Sequence, residues 1–124
     1  MANPSTDGPT SANGTEILRR KYIAGHTTSG GTAVLIDGTA GYIYTVLSII
    51  ISEQEGSASG KVNLWVLGDD STNVGIILDQ DLNSKSTFVF SDRFVIAGED
   101  ELQASITATD NVDFLVSYIE QRWV

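Results

Sequence analysis

The sequence predicts an all-β fold: an antiparallel β-sandwich or jelly-roll-like domain with an extended N-terminal arm. Three observations carry this. From Thr15 onward, short runs of β-branched and aromatic residues alternate with Gly, Asp, Asn and Ser clusters at spacings of about 8–12 residues, the pattern of successive short strands. Within several runs apolar and polar residues alternate one for one, as in a strand with one buried face. Before Thr15 the chain has no bulky apolar side chain after Met1, so residues 1–14 have nothing with which to pack a core.

Residues 1–14 therefore read as the arm, with Asn3, Pro4, Ser5, Thr6, Pro9 and Thr10 as its candidate contacts, and residues 15–124 as the sandwich domain. Glu16 to Ile23 reads as the first strand, although Ile17, Leu18, Lys21 and Tyr22 would also share one helical face. Asp37-Gly38, between Ala33-Val-Leu-Ile36 and Tyr42-Ile-Tyr44, is the tightest hairpin signal. Tyr42 to Ile51 is apolar on both sides. Lys61 to Leu67 sets Val62, Leu64 and Val66 on one face and Lys61, Asn63 and Trp65 on the other. Val74, Ile76 and Leu78 repeat the pattern, as do Phe88 and Phe90.

The cleanest alternation is Leu102, Ala104, Ile106 and Ala108 against Gln103, Ser105, Thr107 and Thr109. A closing strand points Val112, Phe114, Val116 and Tyr118 inward and Leu115 and Ile119 outward. The turn-rich segments Glu55 to Gly60, Gly68 to Asn73, Asn83 to Lys85, Ala97 to Asp100 and Thr109 to Asn111 are expected to link neighbouring strands. Seven or eight such strands over about 110 residues need two packed sheets, because a single twisted sheet leaves one apolar face uncovered. The surplus of outward apolar residues favours assembly.

Composition narrows the function. A length of 124 residues suits one domain. Sixteen acids against seven bases give a formal charge of −9, which repels nucleic-acid backbones and anionic lipid. The absence of cysteine removes disulfides, thiolate metal sites and thiol nucleophiles. The longest apolar stretch, Val46 to Ile51, is broken by Ser48 and falls far short of the roughly 18 residues of a membrane helix. The opening MANPSTDGPTSANG has neither a positive start nor an apolar run and does not read as a secretory signal.

No catalytic, metal or cofactor site is predicted. The single histidine, His26, sits in a polar stretch before Ser29-Gly-Gly31 and has no nucleophile and base spaced with it. Asp79 and Asp81 share a strand face that reads as solvated, and the acidic stretches Asp69 to Asn73 and Glu99 to Glu101 lack the spacing of a calcium loop. Ser29-Gly-Gly31 leads into a strand, not the helix a phosphate loop needs. Asn13-Gly14-Thr15 matches the glycosylation triplet without a secretory context. What remains are interface candidates: the basic cluster Arg19, Arg20 and Lys21, the aromatics Trp65 and Trp123, and the outward Leu115 and Ile119. Trp65 with Tyr42 or Tyr44 would alternatively serve as a sugar-stacking platform.

Arg93-Phe-Val-Ile-Ala-Gly-Glu-Asp-Glu-Leu-Gln-Ala-Ser105, followed by Asn111-Val-Asp-Phe-Leu-Val-Ser-Tyr-Ile-Glu120, resembles small virion structural proteins of tailed bacteriophages. In these a strand ends at an Ala-Gly-Asp-like turn, an alternating strand follows, and the closing strand reads roughly Val-Asp-Val-x-Val-Ser-Tyr-hydrophobic-Glu. Tyr42 to Ser52 and Val62 to Val66 look like the same family's central hairpin, so the resemblance covers residues 39–120. It implies a non-enzymatic part of a phage particle, located in the virion and assembled in the host bacterial cytoplasm. The first expectation is a capsid decoration or cement protein bound to the major capsid protein, homo-oligomeric and as a trimer by preference, with the arm lying across neighbouring subunits. A tail, neck, baseplate or fibre component is the alternative, and a carbohydrate-binding adsorption module a more distant one.

Overall fold

The structure, a computed structural model, describes residues 16–55 and 60–122. The predicted arm and its boundary, and Trp123, lie outside the described residues. Nine strands are present among those described: β1 (Glu16–His26), β2 (Ala33–Asp37), β3 (Tyr42–Glu53), β4 (Gly60–Leu67), β5 (Asn73–Leu82), β6 (Thr87–Phe90), β7 (Phe94–Ala97), β8 (Glu101–Thr107) and β9 (Val112–Arg122). A single 3-10 turn, Thr28–Gly30, follows β1. One sheet runs β1-β9-β3-β6, with β7 also paired to β3, and the other runs β2-β8-β4-β5. Glu16 to Ile23 is strand, not helix, because its pairing with β9 buries Ile17 and turns Leu18 and Tyr22 to the opposite face.

The strand order is that of a rolled hairpin. With β6 and β7 taken as one interrupted strand, first pairs with last (β1 with β9), second with next to last (β2 with β8), and so inward to β4 with β5. Rolling the long hairpin adds β3–β9 and β4–β8 and distributes the strands over two antiparallel sheets, the jelly-roll form of the sandwich. The core lies between the sheets and contains Leu35, Val46, Ile49, Ile51, Val62, Leu64, Ile96, Leu102, Phe114 and Val116, all shielded from solvent.

A bulge explains why Tyr42 to Ile51 is apolar on both sides. The β3–β9 register slips between Val46 and Ser48, so Tyr44 and Val46 face inward before Leu47, and Ile49, Ile51 and Glu53 after it. An extra residue in one strand changes which parity faces the core. The edge strand paired with β3 breaks opposite this bulge: Phe90 pairs with Ile49 and Phe94 with Val46, leaving Ser91, Asp92 and Arg93 between β6 and β7. The Phe90 and Phe94 rings meet edge to face across the break, 5.9 Å apart.

Four sequence expectations are corrected. Asp37-Gly38 is not a hairpin turn, because β2 and β3 lie in different sheets. Its glycine answers a close backbone approach: Gly38 N–H donates to Asp100 O at 3.0 Å, and a Cβ there would come within 2.2 Å of Gly98 O and 2.3 Å of Asp100 O. Of the predicted turns between neighbouring strands, Gly68 to Asn73 does join a hairpin, β4–β5, whereas the other four segments cross between sheets. Finally, Val74, Ile76 and Leu78 do not form a core row. Two register slips in β5, with Asp79 at φ 52°, bury Ile77 and Leu82 instead and leave Leu78 73% exposed. At the end of β8, Ala108 is likewise exposed, at φ 63°, and Thr109 turns inward.

That inward threonine meets the one buried carboxylate of the described residues. Glu53, 1% exposed, accepts from Thr109 Oγ1 at 2.6 Å and from Lys85 N–H at 3.2 Å, while its own N–H donates to Ser86 O at 2.9 Å. Gln54 N–H donates to Asn111 O, and Glu55 Oε2 accepts from Asp110 N–H at 3.1 Å. One β3 terminus thus ties the β5–β6 and β8–β9 crossovers together, and a buried carboxylate is tolerated because backbone and hydroxyl donors satisfy it.

Glu53→Ala removes the acceptor of the Lys85 N–H and leaves the Thr109 hydroxyl only Glu55 Oε2 at 3.3 Å, and is expected to cost about 1–3 kcal/mol in urea unfolding. Gly38→Ala forces two carbonyls apart and is expected to cost about 2–4 kcal/mol, measured in the same way. Gly31→Ala, at φ 69° but with open space around its Cβ, should cost only about 1 kcal/mol.

Candidate assembly surface

The two sheets differ in how their outer faces are patterned. Register places residues across the β2-β8-β4-β5 sheet in polar rows: Asn63 beside Ser105, and Lys61 between Thr107 and Asp81. Lys61 Nζ pairs with Asp81 at 2.9 Å. Trp65 lies on this face, its Nε1 donating to Gln103 Oε1 at 2.9 Å, and Gln103 Nε2 donates on to Glu101 at 2.9 Å.

The outer face of the β1-β9-β3-β6/β7 sheet carries two apolar rows, flanked by Asp113, Ser52 and Thr87 on one side and by Glu16 and Gln121 on the other. Tyr22, Leu115, Ile50 and Val89 are consecutive partners across all four strands and form one row. Leu18, Ile119, Thr45 and Val95 form a second. Between them runs a short polar row, Arg20, Ser117 and Ser48. Tyr22 is 68%, Val95 60% and Val89 53% exposed. A shallow cleft of about 260 Å³ opens beside the first row, against Tyr22, Ile50 and Leu115. At the ordinary strand spacing each apolar row covers on the order of 130 Å2, with the polar row between them.

Charge is sparse in these rows. Among the described residues of the three rows, Arg20 alone is ionic, and it meets no carboxylate within the described part of the chain. Several loop acids cap backbone. Asp70 accepts from Thr72 N–H at 3.1 Å, which holds its carboxyl below the ordinary range. The Thr28 hydroxyl, followed by its N–H at 3.0 Å, does the same for Asp110.

The basic cluster read from the sequence is dispersed by strand alternation. Arg20 stands on the outer face, Arg19 turns inward to Glu120 at 3.2 Å with side-chain exposures of 12% and 14%, and Lys21 Nζ donates to Val34 O at 3.0 Å across the sandwich edge. The adjoining Tyr118 phenol is pushed up, first by burial and then by Glu120, against the opposing pull of Arg19. Leu115 and Ile119 do share one surface, whereas Trp65 lies on the other sheet; the arm residues and Trp123 fall outside the described part. Leu18, Tyr22, Val89 and Val95 went unread, because only register brings them together; Ile50 was legible as part of the two-sided apolar strand.

The sugar-platform aromatics do not converge. Tyr44 is buried, accepts Thr39 N–H at 3.0 Å and stacks with Tyr42 in the sheet opposite Trp65. His26 donates from Nε2 to Gly31 O at 3.0 Å, and its ring lies edge-on to Phe114 at 5.9 Å, which makes it a fastener between β1 and its loop. Among the described residues no group of three or more His, Cys, Asp or Glu is arranged to hold a metal.

The sequence matches no protein-family model and no curated protein. Solved structures with similar folds include a Bacillus endospore appendage, at 17% identity and TM-score 0.46 over 96% of this chain and 100% of that one. The infectious bursal disease virus T13 particle matches at 11% and 0.44, over 89% of this chain and 36% of that one. A pentameric capsid protein from metagenomic phage sequences matches at 12% and 0.40, over 92% and 63%. The chain spans about a third of the infectious bursal disease virus chains it matches. The sandwich assignment rests on the strand pairing itself.

Asp110 gives the loops a pH signature. Its depressed folded pKa adds stability above the unfolded value of about 3.8, and that stability is lost as pH falls through the lower folded value. Urea midpoints of wild type and Asp110→Asn should therefore differ at pH 6 and converge as the pH falls through the lowered folded pKa; a gap of constant size would contradict the assignment.

Proposed function

We propose that the protein is a non-enzymatic structural component of a virion, and within that class a head decoration protein that binds the major capsid lattice and stabilises the shell. The observation that carries the reading is the apolar outer face of the β1-β9-β3-β6/β7 sheet on an acidic chain. A solvated antiparallel sheet carries polar residues outward; the second sheet here does so at Lys61, Asn63, Ser105 and Thr107, although Trp65 and the exposed Leu78 also lie on it. Two apolar rows across four strands instead call for a covering surface. The phage-like segments Arg93 to Ser105 and Asn111 to Glu120 contribute β7, β8 and β9, and β9 supplies the middle of that face.

The rigid sandwich serves as the platform, and residues 1–14, joined at the edge strand β1, reach neighbouring subunits of the lattice. An arm ordered on binding loses conformational entropy, which repeated contacts on a lattice offset. A tail, neck, baseplate or fibre position makes the same demand on the surface but at lower copy number.

Particles assembled without the protein should lose resistance to heat and osmotic shock and regain it on adding the purified chain; unchanged resistance would end the cementing role. Quantitative mass spectrometry of virions separates head from tail, with hundreds of copies on a lattice against a few to dozens in a tail. Deleting residues 1–14 should leave the circular dichroism and melting of the domain intact while reducing incorporation into particles.

A further inference from the structure

We propose that the free edge of β1 takes up an extended acidic segment of a partner protein by strand addition, with two consecutive acids of that segment set against Arg20 and Lys21. The two sheets have four edges, and among the described residues three of them are unsuited to a further strand. β2 is five residues long and slips register between Val34 and Ile36. β5 slips twice and turns through Asp79 at φ 52°. The edge opposite β1 in its own sheet is broken into β6 and β7 by Ser91, Asp92 and Arg93. Natural sheets blunt their edges by such shortness, bulges and breaks. β1 has none of them: from Glu16 to Ile23 it runs in unbroken register with Gln121 to Phe114, and among the described residues no strand pairs with its other side. Every second residue of an edge strand turns its N–H and C=O away from the strand it is paired with, ready for an added one.

Charge names the occupant. The chain carries sixteen acids against seven bases, and three of the seven bases stand together at Arg19, Arg20 and Lys21 in the regular part of β1. Arg19 is matched by Glu120. Arg20 and Lys21 are exposed, and neither meets a carboxylate among the described residues; the partner of Lys21 Nζ is a carbonyl, Val34 O. Alternation puts Arg20 on the outer face of the sheet and Lys21 on the side of β2. An added strand alternates likewise, so its residues opposite Arg20 and Lys21 are consecutive and point to the two faces. In an antiparallel segment the matching order is apolar, acid, acid, any residue, apolar, with the two apolar residues beside Tyr22 and Leu18. A second copy of this chain fits poorly. In the antiparallel register of fullest overlap, Glu16 of one β1 against Ile23 of the other, Arg19 and Arg20 fall opposite each other twice, and like charges directly opposite destabilise a pair. The chain's own residues 1–14 contain a single acid, Asp7. This edge goes beyond the particle reading and does not depend on it.

Fluorescence anisotropy of the full chain with the labelled peptide Thr-Thr-Val-Glu-Glu-Thr-Val-Thr-Thr tests this, with amide hydrogen exchange to locate the site and circular dichroism to confirm folding of every variant. The peptide should bind and slow exchange in β1 between Glu16 and Ile23. Replacing its two glutamates by glutamines should weaken binding about tenfold, and Arg20→Glu and Lys21→Glu about fivefold each. A peptide with two lysines in their place should regain affinity for the double variant. A peptide methylated on its backbone nitrogens, which keeps the charge but cannot pair as a strand, should not bind. No binding at about 1 mM peptide, protection of β5 or of β6 and β7 instead of β1, equal binding of the methylated peptide, or indifference to Arg20→Glu and Lys21→Glu would each overturn the proposal. So would a dimer in sedimentation velocity that the peptide dissolves, which assigns the edge to a second copy, or peptide binding gained only on deleting residues 1–14, which assigns it to the chain's own arm. A chain that binds the peptide yet leaves particles unstabilised keeps this edge and loses the proposed function; one that cements particles and ignores the peptide does the reverse.

Discussion

The pairing of β3 with β9 is the contact on which the rest of the molecule depends. It joins the middle of the chain to its end, runs from Tyr42–Arg122 to Glu53–Val112, and forms the centre of one sheet. Its inward side contributes Val46, Ile49, Ile51, Phe114 and Val116 to the core, each worth about 1.5–3 kcal/mol on full burial. Its outward side contributes Leu115, Ile119 and Ile50 to the assembly surface. The single extra residue in β3 sets the phase on both sides at once. It also prevents the edge strand from pairing continuously, so the division of that strand into β6 and β7 follows from the bulge rather than from a weak sequence there.

Closing such a pair encloses a long segment of chain at an entropic cost, and most of the connections within that segment cross between sheets. The crossovers at one end are pinned through Glu53, Thr109 and Lys85, and those at the other through Gly38, Asp69 and Asp100, whose Oδ1 accepts Asp69 N–H at 3.0 Å. These polar ties add little net energy individually, but an unsatisfied buried donor is costly, so they restrict the loops to one arrangement. A fold so dominated by pairings distant in sequence folds slowly relative to helical domains of its size.

Much of this architecture was legible from residue pattern alone. Leu102, Ala104 and Ile106, and Val112, Phe114 and Val116, alternate in the sequence as they do in the structure, because regular strands at the centre of a sheet impose their period on side-chain choice. The errors cluster where the period breaks. Turn residues such as Asp37-Gly38 report what the backbone tolerates locally, not which sheet the next strand joins. Bulges in β3 and β5 move Ile49 and Ile77 into the core with no change in composition to mark them. The assembly surface was half visible: Leu115, Ile119 and the two-sided Tyr42 to Ile51 strand stood out, whereas Tyr22, Val89 and Val95 became neighbours only through pairings between residues far apart in the chain. The basic triplet is divided for a related reason, since adjacent residues on a strand face opposite ways, and Arg20 alone of the three stands on the outer face.

The central claim is that one sheet of this sandwich is built to be covered and the other to face water. Hydroxyl-radical footprinting of the chain in its assembled state against a dilute, dissociated state measures that directly, residue by residue. The account predicts loss of reactivity at Tyr22, Leu115, Ile50 and Val89 on assembly while Trp65 and Leu78 keep theirs. Protection of Trp65 and Leu78 with Tyr22 and Val89 left reactive would contradict it.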